Sequence, residues 1–86
     1  MKCPLTVEID FEAPAAYIYY QEPDSAKLVE TARLGLEVAA DLDANGDVIG
    51  LELWGFDEEA ISTAEEFAHS KGCSFPRNLG AALALA

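Results

Sequence analysis

The sequence predicts an α+β domain in which an antiparallel sheet of four to five strands packs against one C-terminal helix. Apolar and polar residues alternate in several segments between residues 5 and 54, which is the period of half-buried strands. The dipeptide Asn45-Gly46 separates two of these segments, as in a hairpin. From Ala60 to Ala68 the apolar residues recur at helical spacing instead.

The 86 residues predict a single domain with three successive parts. Residues 5–56 form the sheet, residues 57–72 the helix, and residues 73–86 a loop and an apolar tail. A chain of this length buries little more than ~60% of its unfolded surface, which leaves little room for an enclosed active site.

The first half of the chain contains three candidate strands. Residues 5–11 alternate strictly, with Leu5 and Phe11 in the apolar set that should face the core. Pro14 interrupts the ladder, and the aromatic-rich second strand covers residues 15–20. Residues 27–34 are a weaker candidate because their polarity is mixed.

The next two strands form the predicted hairpin, over residues 36–42 and 48–54. Asn45-Gly46 favours a type I′ turn, in which both central residues take positive φ. Alternation divides the returning strand into two faces. One face holds Ile49, Leu51 and Leu53, and the other Val48, Gly50, Glu52 and Trp54.

The helix has recognisable ends. Asp57 is a good N-cap residue, and two glutamates follow it in the first turn. His69 and Lys71 lie in the last turn, where positive charge complements the helix dipole, and Gly72 suits the position after the helix.

The end of the chain combines a loop, residues 73–78, with an apolar tail, residues 79–86. Leu79 and Leu83 are four residues apart, so a helical tail presents both on one side. We expect the tail to pack on its own domain or on a partner subunit. The alternative is a free end that resembles the apolar C-terminal tags read by bacterial proteases.

Three segments resemble a known family: Ala16-Tyr17-Ile18-Tyr19, Glu30-Thr31, and residues 38–52 with the sequence VAADLDANGDVIGLE. They are similar to the small prokaryotic family called domain of unknown function 2283, over roughly residues 5–56. The resemblance implies a β-rich domain without assigned activity or catalytic residues. The helix and apolar tail depart from the family's shorter members. Members found beside toxin-like proteins imply a neutralising role.

Charge is the most unusual bulk property of the chain. Five basic residues stand against sixteen acidic ones, for a net charge of −11, and the stretch between Arg33 and Lys71 contains ten carboxylates and no Lys or Arg. Such a surface repels phosphate backbones and anionic lipids, which disfavours nucleic-acid and membrane binding. It attracts a basic protein or a divalent cation, although carboxylates also serve solubility alone.

One segment matches the ligand spacing of an EF-hand calcium loop. Asp41, Asp43, Asn45 and Glu52 occupy the oxygen-ligand positions and Gly46 the turn position. An EF-hand has a helix on each side of this loop, whereas here the flanking residues alternate as strands do. We therefore expect no metal site, and keep a weak calcium loop as an alternative.

Catalytic and cofactor motifs are missing from the sequence, so we expect no enzyme and no cofactor. His69 and Cys73 are close enough in the chain to touch, but no orienting group or oxyanion hole accompanies them. Structural zinc needs four ligands, and one His with two Cys falls short. Because Met1-Lys2-Cys3-Pro4 leads into alternating residues, we expect a cytoplasmic protein with reduced thiols.

These observations predict a non-enzymatic interaction module that self-associates as a homodimer. The alternatives are an acidic protein that neutralises a basic toxin-like partner, and the calcium-binding domain. Aromatic and apolar side chains on an uncovered sheet face or in the tail are the interface candidates, with burial in the domain's own core as the competing role. The candidates are Tyr17, Tyr19, Tyr20, Trp54 and Leu83.

Overall fold

A computed structural model describes residues 2–76 and shows the predicted α+β fold. Five strands precede one helix. Their bounds are β1 (Thr6–Asp10), β2 (Ala15–Tyr19), β3 (Glu30–Arg33), β4 (Val38–Leu42), β5 (Val48–Leu53) and α1 (Glu58–Ser70).

The strands form one antiparallel sheet in the order β1-β2-β5-β4-β3. Two hairpin units, β1–β2 and β3–β4–β5, join through the pairing of β2 with β5. In the centre of the sheet, Ile18 lies opposite Leu51, and Leu51 lies opposite Ala40. All three are fully buried under α1, so the core lies between the helix and the central strands.

Both ends of α1 are capped as the sequence predicts. The Asp57 side chain accepts a hydrogen bond from Ala60 N at 2.8 Å. At the other end, Gly72 N donates to His69 O and Cys73 N to Ala68 O, which is the Schellman arrangement, and Gly72 has φ of 72°. Three alanines at four-residue spacing, Ala60, Ala64 and Ala68, are buried against the sheet.

The hairpin between β4 and β5 is confirmed, but the type I′ turn is wrong. Gly46 has φ of 79°, whereas no other residue of segment 43–47 has positive φ. Gly46 N donates to Asp43 O, and Asp43 N to Asp47 O, which closes a three-residue loop rather than a two-residue turn.

A β-bulge in β5 changes the predicted faces of Val48 and Ile49, whereas the rest of the strand keeps the predicted alternation. Leu42 lies opposite Val48 and Asp41 opposite Gly50, so Ile49 is an extra residue. The bulge shifts the alternation by one residue. Val48 therefore joins Leu51 in the helix-side core cluster, and Ile49, although buried, lies outside that cluster.

The chain after the helix belongs partly to the core, which the predicted loop at 73–78 does not anticipate. Cys73 is buried and forms a parallel bridge with Lys2, and Phe75 is also buried. Tyr20 donates its hydroxyl to Ser74 O at 2.7 Å. The predicted apolar tail, including Leu83, lies outside the described residues.

The single helix covers mainly β4 and β5. On β1, Val7 and Ile9 pack partly against the core, but Leu5 and Phe11, predicted to share their face, are exposed just beyond the ends of the strand. Between residues 2 and 76 no helix has the length and apolarity needed to cross a membrane.

The loop glycine supplies the first testable prediction. Gly46→Ala should lower the free energy of unfolding by about 1–2 kcal/mol, because an L side chain is strained at positive φ. Gly35→Ala is the matched control, since Gly35 lies outside the left-handed region and an added methyl meets only Thr63 at 3.9 Å. Urea unfolding measures both variants, and equal losses would contradict the assigned loop conformation.

Candidate functional site

The face of the sheet turned away from α1, called the open face below, is the best candidate for a functional surface. Antiparallel pairing places its residues in two rows across the strands. One row contains Glu8, Tyr17, Glu52, Ala39 and Arg33, and the other Thr6, Tyr19, Gly50, Asp41 and Thr31. Trp54 lies just after β5 and extends the open face beyond the first row.

A hydrogen-bonded group occupies the middle of the open face. The Tyr17 hydroxyl donates to Asp41 Oδ2 at 2.7 Å, and Thr31 Oγ1 donates to Asp41 Oδ1 at 2.8 Å. To reach Asp41, Tyr17 crosses over Gly50, where any Cβ would collide with the tyrosine ring. Burial, followed by the hydrogen bond and the charge of Asp41, holds the pKa of Tyr17 well above its usual range. The phenol is therefore a fixed neutral donor.

Tyr19 stacks beside this group. Its ring centroid lies 4.4 Å from that of Tyr17, and its hydroxyl donates to Glu8 Oε2 at 3.4 Å. Desolvation first, and then the Glu8 carboxylate, raise the pKa of Tyr19. Glu8, Asp10, Tyr17 and Glu52 border a shallow depression beside the two rings. Three carboxylates and the Tyr17 side chain therefore border the same depression.

Trp54 and Arg33 form the far end of the open face. The guanidinium carbon of Arg33 lies 5.3 Å from the centroid of the Trp54 ring, within cation–π distance. Arg33 also donates from Nε to Gly35 O and from Nη2 to Leu36 O. Trp54 is exposed, so this predicted interface candidate lies at the surface.

The five predicted interface candidates therefore lie in different parts of the protein. Tyr17, Tyr19 and Trp54 lie on the open face. Tyr20 is buried in the domain's own core, where burial raises its pKa, and this position removes it from the interface candidates. Leu83 lies outside the described residues.

The predicted calcium loop is held by hydrogen bonds of its own. Asp43 Oδ1 accepts from the backbone N–H groups of Asn45 and Asp47, and Oδ2 accepts from Gln21 Nε2. The Gln21 bond is the largest cause of the lowered pKa of Asp43. Strands flank the loop where an EF-hand has helices. Within residues 2–76, no three His, Cys, Asp or Glu side chains are placed to share a metal ion.

His69 and Cys73 stand in different environments. His69 is exposed at the end of α1, whereas Cys73 is buried in the core cluster. Desolvation raises the pKa of the Cys73 thiol, which disfavours the thiolate that a nucleophile requires. In the described part of the chain, every buried side-chain nitrogen or oxygen has a hydrogen-bond partner, so none points to an absent ligand.

Several residues of the open face escape prediction from the sequence. Thr31, Arg33 and Gly50 become part of it only through the strand order, which alternation does not provide. The signal that was available is the glycine itself, because a glycine inside a strand indicates a close approach by another group.

No protein-family model matches the chain, and the comparisons with curated proteins and with solved structures return no match either. The resemblance to the domain of unknown function 2283 family stays a prediction from the residues quoted above.

Calcium titration tests the alternative assigned to the loop. Because ligand stabilisation follows RT ln(1 + [L]/Kd), millimolar calcium should leave the thermal midpoint unchanged if Asp41 and Asp43 keep their present hydrogen bonds. Differential scanning calorimetry with calcium, and with magnesium as control, measures this. A rise that Glu52→Gln abolishes would establish a calcium site.

The tyrosine hydroxyls predict a stability change at high pH. A phenol whose folded pKa exceeds its unfolded value of 10.0 stabilises the fold below pH 10, and this stabilisation is lost as pH rises further. The thermal midpoint should therefore fall above pH 10, and less steeply in Tyr17→Phe. At neutral pH the free energy of unfolding of that variant should fall by about 1–2 kcal/mol, because it lacks the hydrogen bond from the Tyr17 hydroxyl to Asp41. Parallel pH curves for the two proteins would contradict the assignment.

Proposed function

We propose that this chain is a non-enzymatic interaction module that self-associates as a homodimer. The observation that carries the proposal is a set of exposed apolar residues that flank the two ends of β3. Leu28 and Val29, just before the strand, are 56% and 59% exposed, and Leu36, in the turn after it, is 92% exposed. Large apolar side chains grouped on the surface of a small domain are typical of an interaction site.

The non-enzymatic part of the proposal rests on how the reactive groups are held. The Cys73 thiol is buried, and Asp41 and Asp43 accept hydrogen bonds from neighbouring side chains or backbone amides. The depression beside Tyr17 is shallow and open to solvent. An acid–base or nucleophilic mechanism needs a reactive group in a recess that encloses substrate, and this surface favours contact with another protein instead.

The module is proposed to work in the cytoplasm, where the two free cysteines, Cys3 and Cys73, stay reduced.

A second candidate function is the binding of a basic protein partner. It is favoured by the open face, where Glu8, Asp41 and Glu52 accompany Arg33 as the single basic residue of the two rows. Two aromatic rings beside carboxylates suit the long side chains of Lys and Arg, which combine an apolar stem with a cationic head. The resemblance to a family found beside toxin-like proteins supports the same candidate.

Analytical ultracentrifugation at several salt concentrations tests both candidates. The homodimer should sediment at twice the chain mass of 9.2 kDa at micromolar concentration. Its association should strengthen as salt rises, because two chains of net charge −11 repel each other less when screened. A monomer at every salt concentration would refute self-association.

Binding of a polylysine peptide provides the matching measurement for the second candidate. Its affinity should fall as salt rises, opposite to the dimer, and should weaken in Glu8→Gln/Glu52→Gln. Replacing Glu65 and Glu66, two exposed helix residues, by Gln is the charge-matched control. Equal losses in the two variants would indicate attraction by net charge without a site on the open face.

A further inference from the structure

We infer that the homodimer forms through the edge of β3 that pairs with no other strand of residues 2–76, and that β3 pairs there antiparallel with β3 of a second copy about a two-fold axis at Ala32. The result is one continuous ten-stranded sheet made from two five-stranded sheets. This inference rests on the proposed function and specifies the surface that serves it.

The hydrogen bonds of β4 show which backbone groups of β3 are free. Leu34 N donates to Val38 O at 2.9 Å, in the register that also places Ala32 opposite Ala40. Hydrogen-bonded residues alternate along an antiparallel strand, so the peptide groups of Ala32 point toward β4. The N–H and C=O groups of Thr31 and Arg33 therefore point away from the sheet, toward the free edge.

Charge distinguishes the β3 edge of the sheet from the β1 edge. Within β1, Glu8 and Asp10 share the open face, so pairing β1 with itself brings carboxylates together in the registers centred on Glu8 and Ile9. Segment 25–36 instead contains two basic residues and one acidic residue. By comparison, segment 37–76 contains ten carboxylates and one lysine. In a chain of net charge −11, two copies should therefore repel each other less at the β3 edge than at the β1 edge, whose segment 5–12 contains three carboxylates and no basic residue.

The outward N–H and C=O groups of Thr31 and Arg33 also determine the register in which the two β3 strands pair. A two-fold axis at Ala32 places Thr31 opposite Arg33 of the second copy, and the outward N–H and C=O groups of both residues then pair in each copy. A two-fold axis at Thr31 would instead pair Arg33 with Val29 of the second copy. Val29 N already donates to Leu42 O at 2.9 Å, so that register loses hydrogen bonds.

The same register brings apolar surface together. Counting outward from Ala32, Leu28 of one copy approaches the turn that contains Leu36 of the other, and the symmetry repeats this contact on the opposite side. Leu36 is almost fully exposed in the isolated chain. Edge pairing thus covers both unprotected features of this side, the open backbone and the leucines around it.

Two double variants of matched exposure test the choice of edge. Leu28→Asp/Val29→Asp adds two charges beside β3 and should weaken the dimer by about tenfold or more, because the new charges face the apolar turn around Leu36 of the second copy. Leu5→Asp/Phe11→Asp adds the same charges beside β1, at residues that are 54% and 56% exposed, and should change the dissociation constant by less than about twofold. Circular dichroism reports whether each variant folds. The reverse order of effects would overturn the inference.

Disulfide trapping tests the register in a Cys3→Ser background, which removes the exposed native thiol. In a non-hydrogen-bonded antiparallel pair the Cα atoms are about 4.5 Å apart, within disulfide range. Ala32→Cys should therefore form a covalent dimer under mild oxidation, and the neighbouring Thr31→Cys should form little. Efficient trapping of Thr31→Cys alone would place the axis at residue 31 and refute the proposed register.

Failure of this inference differs from failure of the proposed function. If the wild-type chain dimerises but neither cysteine variant is trapped and the β3 variant still dimerises, self-association stands and the β3 edge is wrong. If the wild-type chain is a monomer throughout, self-association itself fails, and with it the interface.

Discussion

One helix cannot cover five strands, and most features of this domain depend on that mismatch. An α-helix is roughly 10 Å wide, the width of about two strands spaced 4.8 Å apart. Helix α1 lies on β4 and β5, with Ala60, Ala64 and Ala68 against the sheet. These small side chains let the helix approach the sheet closely. The outer strands β1 and β3 consequently receive little cover, and five of the six exposed large hydrophobic residues of the described chain flank these two strands.

In the described part of the chain no second layer covers the open face, and side chains that lie flat on the sheet cover it instead. Tyr17 extends across Gly50 to Asp41, and Arg33 packs on Trp54. The outcome is visible at Ala39, which is buried although no helix within residues 2–76 covers its side of the sheet. A side chain at position 50 would displace Tyr17 and open the contact with Asp41. Glycine has a low intrinsic strand propensity, but the missing side chain at position 50 permits the hydrogen bonds that link Tyr17, Asp41 and Thr31 across three strands.

The sequence predicts the elements of this fold better than their arrangement. Alternation identifies each strand to within a few residues, and Asp57 and Gly72 mark the helix ends because capping is local chemistry. The bulge at Ile49 is different, because one inserted residue reverses the faces of Val48 and Ile49, and the alternation contains no local signal for it. Asn45-Gly46 is ambiguous for a similar reason, because glycine serves both two- and three-residue loops. Strand order escapes prediction altogether, and the open face cannot be assembled without it.

The strand order also distributes the entropy cost of folding unevenly. β1 pairs with β2, and β3, β4 and β5 pair in succession, so three of the four strand pairings join strands that are consecutive in the chain. Among the four ladders of the sheet, the one between β2 and β5 joins distant parts of the chain, for instance Ala16 with Leu53. Closing that long loop costs conformational entropy before its buried contacts compensate. We therefore expect the pairing of the β1–β2 unit with the β3–β4–β5 unit to limit the rate of folding. Ile18 and Leu51 lie opposite each other where the two units meet, so we expect their contact to form part of the folding nucleus as well as of the final core.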